Sequence, residues 1–197
     1  MDPRNATECD RKGVVATLTS AFAGDAIVRF LFPNDESYAR LAGLFFGHYF
    51  DVRLAGGEVF VFGETVAGAA LWNPPGGNRL GREFVEDDWR RNVAAGLGVD
   101  ALARYRAFTE VLEAMTPGEP HWYLGLLGTD PGRRRTGVAS ALIAPMLARA
   151  DREGVPVFLE TGMAPNVGFY RRFGFDTVAE TDVPGGPRVW GLLRPPA

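Results

Sequence analysis

At residues 126–140 the chain reads LLGTDPGRRRTGVAS, and this stretch decides the fold. An apolar strand runs into a turn at Pro131-Gly132, a basic loop follows, and a helix rich in Ala and Leu begins near Gly137. The first turn of a helix has up to four backbone N–H groups without internal partners, and the helix dipole adds partial positive charge there. Because Gly137 and Ala139 are small, an anionic oxygen can approach this backbone closely. The stretch therefore predicts a phosphate or pyrophosphate site.

The segments on both sides of this stretch predict a strand–helix–strand unit. Residues 122–129 have the composition of a buried strand, and residues 137–153 are typical of a helix that Gly154 closes. The next strand is predicted at 157–161. The remaining elements predicted for this half are a short helix at 166–173 and strands at 175–180 and 188–193.

The first half of the chain is predicted to be mainly helical. Asp10 is a suitable cap for a first helix, whose apolar residues recur at helical spacing from Val14 to Phe22. Helices followed by a strand–helix–strand unit indicate an α/β (α+β) sandwich, with residues 1–197 in a single domain. The other predicted elements are a helical segment at 26–32, a helix from Asn34 or Asp35 to Gly56, strands at 59–62 and 66–72, and a helical pattern over 84–115 that breaks at 96–98.

Composition limits the class of protein. The 197 residues suffice for one domain with a sizeable core, and a formal charge of −3 disfavours a general nucleic-acid binder. Cys9 is the only cysteine, so an intrachain disulfide is impossible. Residues 1–11 lack the apolar core of a signal peptide, and apolar patches such as 41–50 are too short to span a bilayer. We therefore expect a soluble cytoplasmic protein with neither nucleic acid nor membrane as a partner.

Two other kinds of phosphate-binding loop fit the stretch poorly. A P-loop has a Lys and a Ser or Thr directly after its last glycine, whereas Val138 and Ala139 follow Gly137. A dinucleotide fold places G-x-G-x-x-G near the start of repeated strand–helix units, but this loop lies late in the chain without such a repeat. The arrangement that remains is Arg134-x-x-Gly137-x-Ala139, with its backbone amides supplied to a pyrophosphate.

A second motif lies downstream of this loop and reads N-x-x-x-Y-x-x-x-G-F over residues 166–175. Together with the loop from Arg134 to Ala139, it resembles the GNAT superfamily of acyl-CoA-dependent N-acetyltransferases, whose loop pattern is Q/R-x-x-G-x-G/A. The order of the two motifs, their spacing and their strand–helix context agree over residues 121–180. One motif alone is a weak signal, whereas the two together are a strong one.

The resemblance implies both a fold and an acyl donor. It implies a GNAT fold whose mixed central sheet splays between the strands at 122–129 and 157–161, with helices on both faces. It also implies acetyl-CoA as co-substrate, with its pantetheine arm in that gap and its pyrophosphate on the loop amides. The residues expected to bind acetyl-CoA are Leu127, Gly128, Thr129, Arg134, Arg135, Thr136, Gly137, Val138, Ala139, Ser140 and Asn166.

Tyr170 and Glu160 are the residues expected to move protons. By the resemblance, Tyr170 matches a tyrosine that many family members place near the CoA sulfur, and a phenol of pKa ~10 can protonate a thiolate whose thiol has a pKa of ~8.5. Glu160 ends its strand beside the gap and is the first candidate for the base. The competing structural roles are an aromatic core residue for Tyr170 and an ion pair for Glu160. Because Cys9 lies far from the motifs, we expect direct transfer without a covalent enzyme intermediate.

The expected acceptor is the primary amine of a small molecule, such as an antibiotic or an aminonucleoside-like compound. Two alternatives stay open, namely a protein or peptide acceptor and a CoA-binding regulatory module without catalysis. No Cys/His cluster has the spacing of metal ligands, so we predict no metal, and we expect a monomer or homodimer. The candidate substrate-binding residues are Phe30, Trp72, Tyr105 and His121, the last also a candidate for relaying a proton.

Overall fold

A seven-stranded sheet forms the centre of the protein in our computed structural model, which describes residues 2–197. Its strands are β1 (Pro3–Asn5), β2 (Glu58–Phe62), β3 (Gly68–Asn73), β4 (Trp122–Thr129), β5 (Val157–Thr161), β6 (Asp176–Asp182) and β7 (Arg188–Arg194). They lie in the order β1-β2-β3-β4-β5-β7-β6, and all neighbours are antiparallel except β4 and β5. The predicted mixed sheet is confirmed.

Helices cover both faces of this sheet. They are α1 (Arg11–Ala21), α2 (Ala26–Leu31), α3 (Asp35–Gly56), α4 (Arg82–Trp89), α5 (Ala95–Leu97), α6 (Val99–Met115), α7 (Val138–Glu153) and α8 (Ala164–Arg171), with a π-helical turn, Arg90–Ala94, between α4 and α5. We call the side covered by α1, α3 and α6 the front face, and the side covered by α7 and α8 the back face. Each face encloses its own hydrophobic core, which confirms the predicted sandwich.

Side chains of the central strands alternate between these two cores. On β3, Ala69 and Leu71 contribute to the front core, whereas Ala70 and Trp72 contribute to the back core. Successive residues of a strand point to opposite faces, so the alternation follows from the extended backbone. Whether a strand residue packs in the front core or in the back core therefore depends on whether its position in the strand is odd or even.

A β-bulge at Gly125 reverses this alternation within β4. Leu71 pairs with Leu126, but the next residue of β3, Trp72, pairs with Leu124, so Gly125 is the extra residue. Leu124 consequently packs in the back core and Leu126 in the front core, although both have even numbers. Bulges bend the strand that carries them and redirect the side chains that follow. This bulge therefore sets which β4 side chains face each side of the sheet.

Strands β4 and β5 separate after their first two residue pairs. Trp122 pairs with Val157 and Tyr123 with Phe158, and no further pairs join the two strands. Because β4 continues to Thr129, its edge beyond Tyr123 carries backbone N–H and C=O groups without partners on β5. The predicted splay is confirmed, and it opens a gap in the sheet.

Local backbone geometry corrects the sequence pattern near the N-terminus and before β3. The carboxylate of Asp10 does not cap α1, because it accepts hydrogen bonds from Arg4 at 2.6 and 2.8 Å and from the Thr7 N–H at 2.8 Å. Strand β3 begins at Gly68 rather than at Val66, whose φ of 51° places it in a turn. The pattern also misses β1, which has only three residues, none of them buried.

Other predicted boundaries agree with the structure to within two residues. Asn34 caps α3, since its Oδ1 accepts a hydrogen bond from the Ser37 N–H at 3.0 Å. Gly98 has a φ of 80° and separates α5 from α6, which confirms the predicted break. Helix α8 begins at Ala164, two residues earlier than expected.

Within residues 2–197, every helix is too short or too polar to cross a bilayer.

Candidate active site

A groove of about 640 Å³ lies between the free edge of β4, the start of α7 and α8. We call it the anion groove. Of the residues expected to bind the donor, all but Gly128 and Thr136 line it. Gly128 instead lies against Leu18 of α1, and the Thr136 hydroxyl donates to the Arg133 carbonyl at 2.6 Å. The groove is lined by Leu127, Thr129, Arg133, Arg134, Arg135, Gly137, Val138, Ala139, Ser140, Asn166, Phe169, Tyr170 and Arg172.

The loop before α7 has the backbone geometry of an anion-binding turn. Arg135 and Gly137 have φ values of 62° and 88°, and α7 begins directly afterwards at Val138. Turns with such left-handed residues gather successive N–H groups into a concavity, and the N-terminus of α7 adds its own unpaired N–H groups. Asp130 holds the start of the loop, because its Oδ1 accepts from the Gly132 N–H at 2.8 Å. The predicted phosphate site thus has a preformed backbone.

Arginine side chains add positive charge around this groove. Among residues 2–197, Arg133, Arg135 and Arg172 form no ion pair with a carboxylate of the chain. The Arg134 side chain donates to the Ala21 carbonyl at 2.9 Å and so ties the loop to the end of α1. Guanidinium groups match phosphate oxygens well, so the groove combines backbone N–H groups with unneutralised cations.

A second cavity, of about 290 Å³, lies on the front face. We call it the front chamber. Aromatic side chains form much of its wall, and charged side chains also reach it. The aromatic members are Phe22, Phe45, Tyr49, Tyr105, Phe108, Tyr123 and Tyr170, and the charged members are Asp25, Arg53, Glu113 and Glu160.

The two cavities meet at three residues. Leu127 of β4 and Asn166 and Tyr170 of α8 line both the anion groove and the front chamber. Asn166 is fixed in place, because its side-chain amide donates to the Thr161 hydroxyl at 3.2 Å. A molecule bound in the groove and a molecule bound in the chamber therefore have a common boundary at this point.

Tyr170 is held by aromatic neighbours at this boundary. Its ring packs against Phe169 and Phe175, with centroids 5.1 and 5.7 Å away. Burial raises the pKa of the Tyr170 hydroxyl well above its ordinary value, and the negative charge of Glu160 raises it further. Among residues 2–197, no hydrogen-bond partner holds this hydroxyl, so its proton stays available to a bound molecule.

Glu160 is half-buried on β5 and lines the front chamber. Its Oε1 accepts a hydrogen bond from the Tyr123 hydroxyl at 2.9 Å, while its Oε2 has no partner within residues 2–197. Burial raises the pKa of the Glu160 carboxyl to about 7, against the hydrogen bond from Tyr123, which lowers it. In this part of the chain Glu160 forms no ion pair, so the competing structural role of this carboxylate has no support in the geometry.

Of the four candidate substrate-binding residues, only Tyr105 lines the front chamber. Its hydroxyl lies 3.0 Å from that of Tyr49, and its ring stacks on Trp89 at 4.2 Å. Trp72 is fully buried in the back core, because its position in β3 points away from the chamber. The expectation that Trp72 binds substrate is therefore corrected by the alternation along β3, and the next residue, Asn73, lines the chamber in its place.

Phe30 and His121 also lie outside both cavities. Phe30 packs against Gly186, in the turn between β6 and β7. The Nδ1 of His121 lies 2.7 Å from the Glu119 carbonyl, and the imidazole packs edge-on against Phe158 at 5.6 Å. These contacts give both residues packing roles, which corrects their expected place in the substrate pocket.

Most residues of the chamber are not identified from the sequence, among them Asp25, Arg53 and Tyr123. Asp25 caps α2 through the Ile27 and Val28 N–H groups, so it reads as an ordinary helix cap. The sequence does contain a signal for Arg53. This charged residue continues the helical spacing of the buried residues of α3, most of which are apolar.

Within residues 2–197, no three His, Cys, Asp or Glu side chains come together as a possible metal site.

Comparison with known proteins agrees with this geometry. The model of the acetyltransferase (GNAT) family matches residues 59–175, more than half of the chain. The chain therefore belongs to the GNAT family of acetyltransferases. It is an acyltransferase of the kind that uses acetyl-CoA as co-substrate, and the residues of the anion groove fit the phosphates of that molecule.

Individual relatives support the same assignment. An uncharacterized N-acetyltransferase of Schizosaccharomyces pombe, C550.08, is 29% identical over 182 residues, which are 84% of this chain and 70% of the yeast protein. A solved structure titled histone acetyltransferase HPA2 and related acetyltransferase, from Corynebacterium glutamicum, has a TM-score of 0.72 and 24% identity over 100% of this chain and 98% of its own. Arylalkylamine N-acetyltransferase 2 of Aedes aegypti has a TM-score of 0.62 and 14% identity over 98% of this chain and 97% of its own. At these identities the two structures support the fold.

Proposed function

We propose that this protein transfers the acetyl group of acetyl-CoA to the primary amine of a small molecule in a direct ternary complex. The observation that carries the proposal is the common boundary of the anion groove and the front chamber at Leu127, Asn166 and Tyr170. A donor in the groove and an amine in the chamber meet there. Holding two reactants in contact supplies a large part of the rate of such a transfer.

The groove residues correspond to the chemical groups of the donor. Backbone N–H groups from Arg135 to Ser140 hold the pyrophosphate, and the Arg133 guanidinium adds charge beside it. Free backbone groups of Leu127 and Thr129 hydrogen-bond the amides of the pantetheine arm. When bound, acetyl-CoA supplies an acetyl group activated as a thioester.

Glu160 and Tyr170 divide the proton transfers between them. An amine of pKa ~10 is mostly protonated at neutral pH. Glu160 has a pKa of about 7 and an Oε2 without a partner among residues 2–197, so it takes the proton of the amine directly or through water. Tyr170 gives its proton to the departing sulfur, because its side chain lines both cavities and its hydroxyl has no hydrogen-bond partner among residues 2–197. The unprotonated amine attacks in the space that both side chains border.

The aromatic wall of the front chamber favours an apolar or aromatic amine of small size. Its volume of about 290 Å³ is at the lower end of what small-molecule sites offer. Residues 154–161 and 183–190 resemble puromycin N-acetyltransferase, which adds antibiotics and aminonucleoside-like compounds to the proposed acceptors, whereas residues 72–97 depart from it. We further propose a cytoplasmic monomer or homodimer.

Two measurements test this function. Acetyl-CoA at about a hundred times its Kd should stabilise the fold by roughly 2.7 kcal/mol if only the native state binds it, and ATP and NAD should give a smaller shift. Release of CoA is then followed across a panel of amines that includes arylalkylamines, puromycin, aminoglycosides and short peptides. Turnover of a small amine supports the proposal. Turnover confined to peptides replaces the acceptor class, and binding of acetyl-CoA without any turnover replaces the enzyme with a CoA-binding module.

A further inference from the structure

Arg53 is a buried cation that has no hydrogen-bond or ion-pair partner for its guanidinium among residues 2–197. Its residue is only 3% exposed, yet its side chain lines the front chamber. Its Nε is buried without a hydrogen-bond partner, and within residues 2–197 the guanidinium forms neither a hydrogen bond nor an ion pair. Arg194, which is half-buried, shows the usual pairing of a guanidinium with a carboxylate. Asp151 accepts hydrogen bonds from both of its Nη atoms, at 2.6 and 2.8 Å.

An unpaired buried charge destabilises a fold. Removing a guanidinium from water costs several kcal/mol, and proteins normally offset this cost with a carboxylate and further hydrogen bonds. Asp25, Glu113 and Glu160 also line the front chamber, but none of them lies within ion-pair distance of Arg53. The missing partner of Arg53 is therefore one that a bound molecule can supply.

The chamber is shaped around this guanidinium. It lies over the ring of Tyr49 at 4.7 Å and over the ring of Tyr123 at 6.0 Å. Gly125, the bulge residue of β4, lies against the guanidinium, and a Cβ at this position would collide with it. The two tyrosine faces and the glycine together hold the cation in a fixed position, which favours recognition of a planar anionic group.

The cation also lies close to the proposed base. Tyr123 carries the guanidinium of Arg53 over its ring and donates its hydroxyl to Glu160. The chamber therefore presents a proton acceptor at the hydroxyl of Tyr123 and a fixed cation over the ring of the same side chain. A molecule with an amine and an anionic group a few bonds apart matches both, and the aromatic wall matches an apolar substituent.

We infer that Arg53 is a specificity-determining residue that binds a carboxylate of the acceptor, so that the acceptor is an aromatic or apolar amino acid or a close analogue. The inference rests on the proposed function and narrows its substrate class. A carboxylate is favoured because a guanidinium binds it through two parallel hydrogen bonds. The same inference disfavours puromycin, whose amine is next to an amide instead of a free carboxylate.

The test compares L-phenylalanine with phenethylamine, which differ only in the carboxylate, and with L-phenylalaninamide. For the wild-type protein we expect kcat/KM to be at least about 10-fold higher for L-phenylalanine than for the other two amines. Removing one partner of a buried charge pair costs about 2 kcal/mol or more, which is about 30-fold, so Arg53→Met should lower kcat/KM for L-phenylalanine by that factor, mainly through KM. The same variant should lower kcat/KM for phenethylamine by a clearly smaller factor, which reflects only the loss of the Arg53 charge that lowers the pKa of Glu160.

Two further variants separate recognition from folding. Arg53→Lys keeps the charge but loses the planar fork, so it should retain part of the preference for L-phenylalanine. Arg40→Met, on the exposed side of the same helix, is the matched control and should leave the preference unchanged. Because an apolar residue replaces an unpaired charge, Arg53→Met should melt at or above the wild-type temperature. A preference that Arg53→Met leaves intact, or an equal loss for both amines, overturns the inference.

A binding measurement separates failure of this inference from failure of the proposed function. The protein loaded with CoA is titrated calorimetrically with N-acetyl-L-phenylalanine and with N-acetylphenethylamine, so that turnover is not needed. Tighter binding of the acid that is lost in Arg53→Met supports the carboxylate site even if no amine is acetylated. Acetylation of amines with no advantage for the acid, in turnover or in binding, overturns the carboxylate site and leaves the proposed function standing. Equal affinity for the two products, or binding of neither, also overturns the carboxylate site.

Discussion

The anion groove and the front chamber are built in different ways. Much of the groove comes from one continuous segment, residues 133–140, and its main binding groups are backbone amides. The chamber is formed by residues of α2, α3, β3, α6, β4, β5 and α8 and of the segment between α1 and α2, which come from distant parts of the chain. A binding site made of backbone keeps its chemistry when side chains change, whereas a site made of side chains changes with each substitution. This difference explains how one fold can keep its donor and vary its acceptor.

The two regions also differ in how far their charged side chains are exposed to water. The arginines at 133–135 are exposed, so their charge is hydrated and guides an anionic ligand at low cost. Arg53 of the chamber is buried and Glu160 is half-buried, and the Nε of Arg53 and the Oε2 of Glu160 have no hydrogen-bond partner among residues 2–197. Such groups are costly to keep, and that cost is consistent with a role in binding or chemistry. Variants in each region should therefore affect different kinetic constants.

The largest effect is expected at the boundary between the two regions. Tyr170→Phe removes the hydroxyl that is proposed to protonate the departing sulfur, so kcat should fall by about 100-fold or more. The Kd for acetyl-CoA should change little, because the ring and its aromatic contacts remain. Single-turnover kinetics and calorimetric titration measure the two constants. An unchanged kcat at saturating substrates would remove the acid role.

A change of similar or smaller size is expected in the chamber. Glu160→Gln should lower kcat/KM by about 100-fold, because an amide cannot accept the proton of the amine. The Glu160 carboxyl must be ionised to act as a base, so wild-type activity should decline as the pH falls below about 7. The variant should lose this limb of the pH–rate profile. If wild type and variant decline at the same pH, the base lies elsewhere.

The sequence predicts the residues of the anion groove better than those of the front chamber. The donor site is predictable because Gly137 and the start of α7 lie in one short segment, and Tyr170 follows at a fixed distance in a second motif. Trp72 is misassigned because β3 is buried on both faces, so its apolar sequence does not show which of its residues face the chamber and which face the back core. Arg53 reaches the chamber only because the bulge at Gly125 makes room for it. The helical spacing marks Arg53 as a residue of the buried face of α3, but it does not show that this face opens into a cavity.

A moderate effect is expected from the backbone of the anion groove. Gly137 has a φ of 88° with open space around it, so Gly137→Ala adds no collision but strains the backbone by about 1–2 kcal/mol. If acetyl-CoA requires this conformation, its Kd should rise about 10-fold, while the KM for the amine should not change. Gly118→Ala is the matched control, since Gly118 also has open space and no positive φ. Equal Kd values for both variants would argue that the loop backbone does not hold the donor.

The smallest effect is expected outside both regions. Cys9 is exposed and lines neither the anion groove nor the front chamber, so Cys9→Ser should leave kcat and both KM values unchanged. Initial rates measured at several concentrations of both substrates should give intersecting double-reciprocal lines, as expected for a ternary complex. Parallel lines together with inactivity of the variant would indicate an acetylated cysteine instead.

The most direct test of the account is a crystal structure of the complex with CoA. We predict that the pyrophosphate oxygens contact the backbone N–H groups between Arg135 and Ser140, and that the coenzyme passes along the free edge of β4. Its sulfur should lie within hydrogen-bonding distance of the Tyr170 hydroxyl. A coenzyme bound elsewhere on the surface, or a sulfur remote from Tyr170 and the front chamber, would contradict the account.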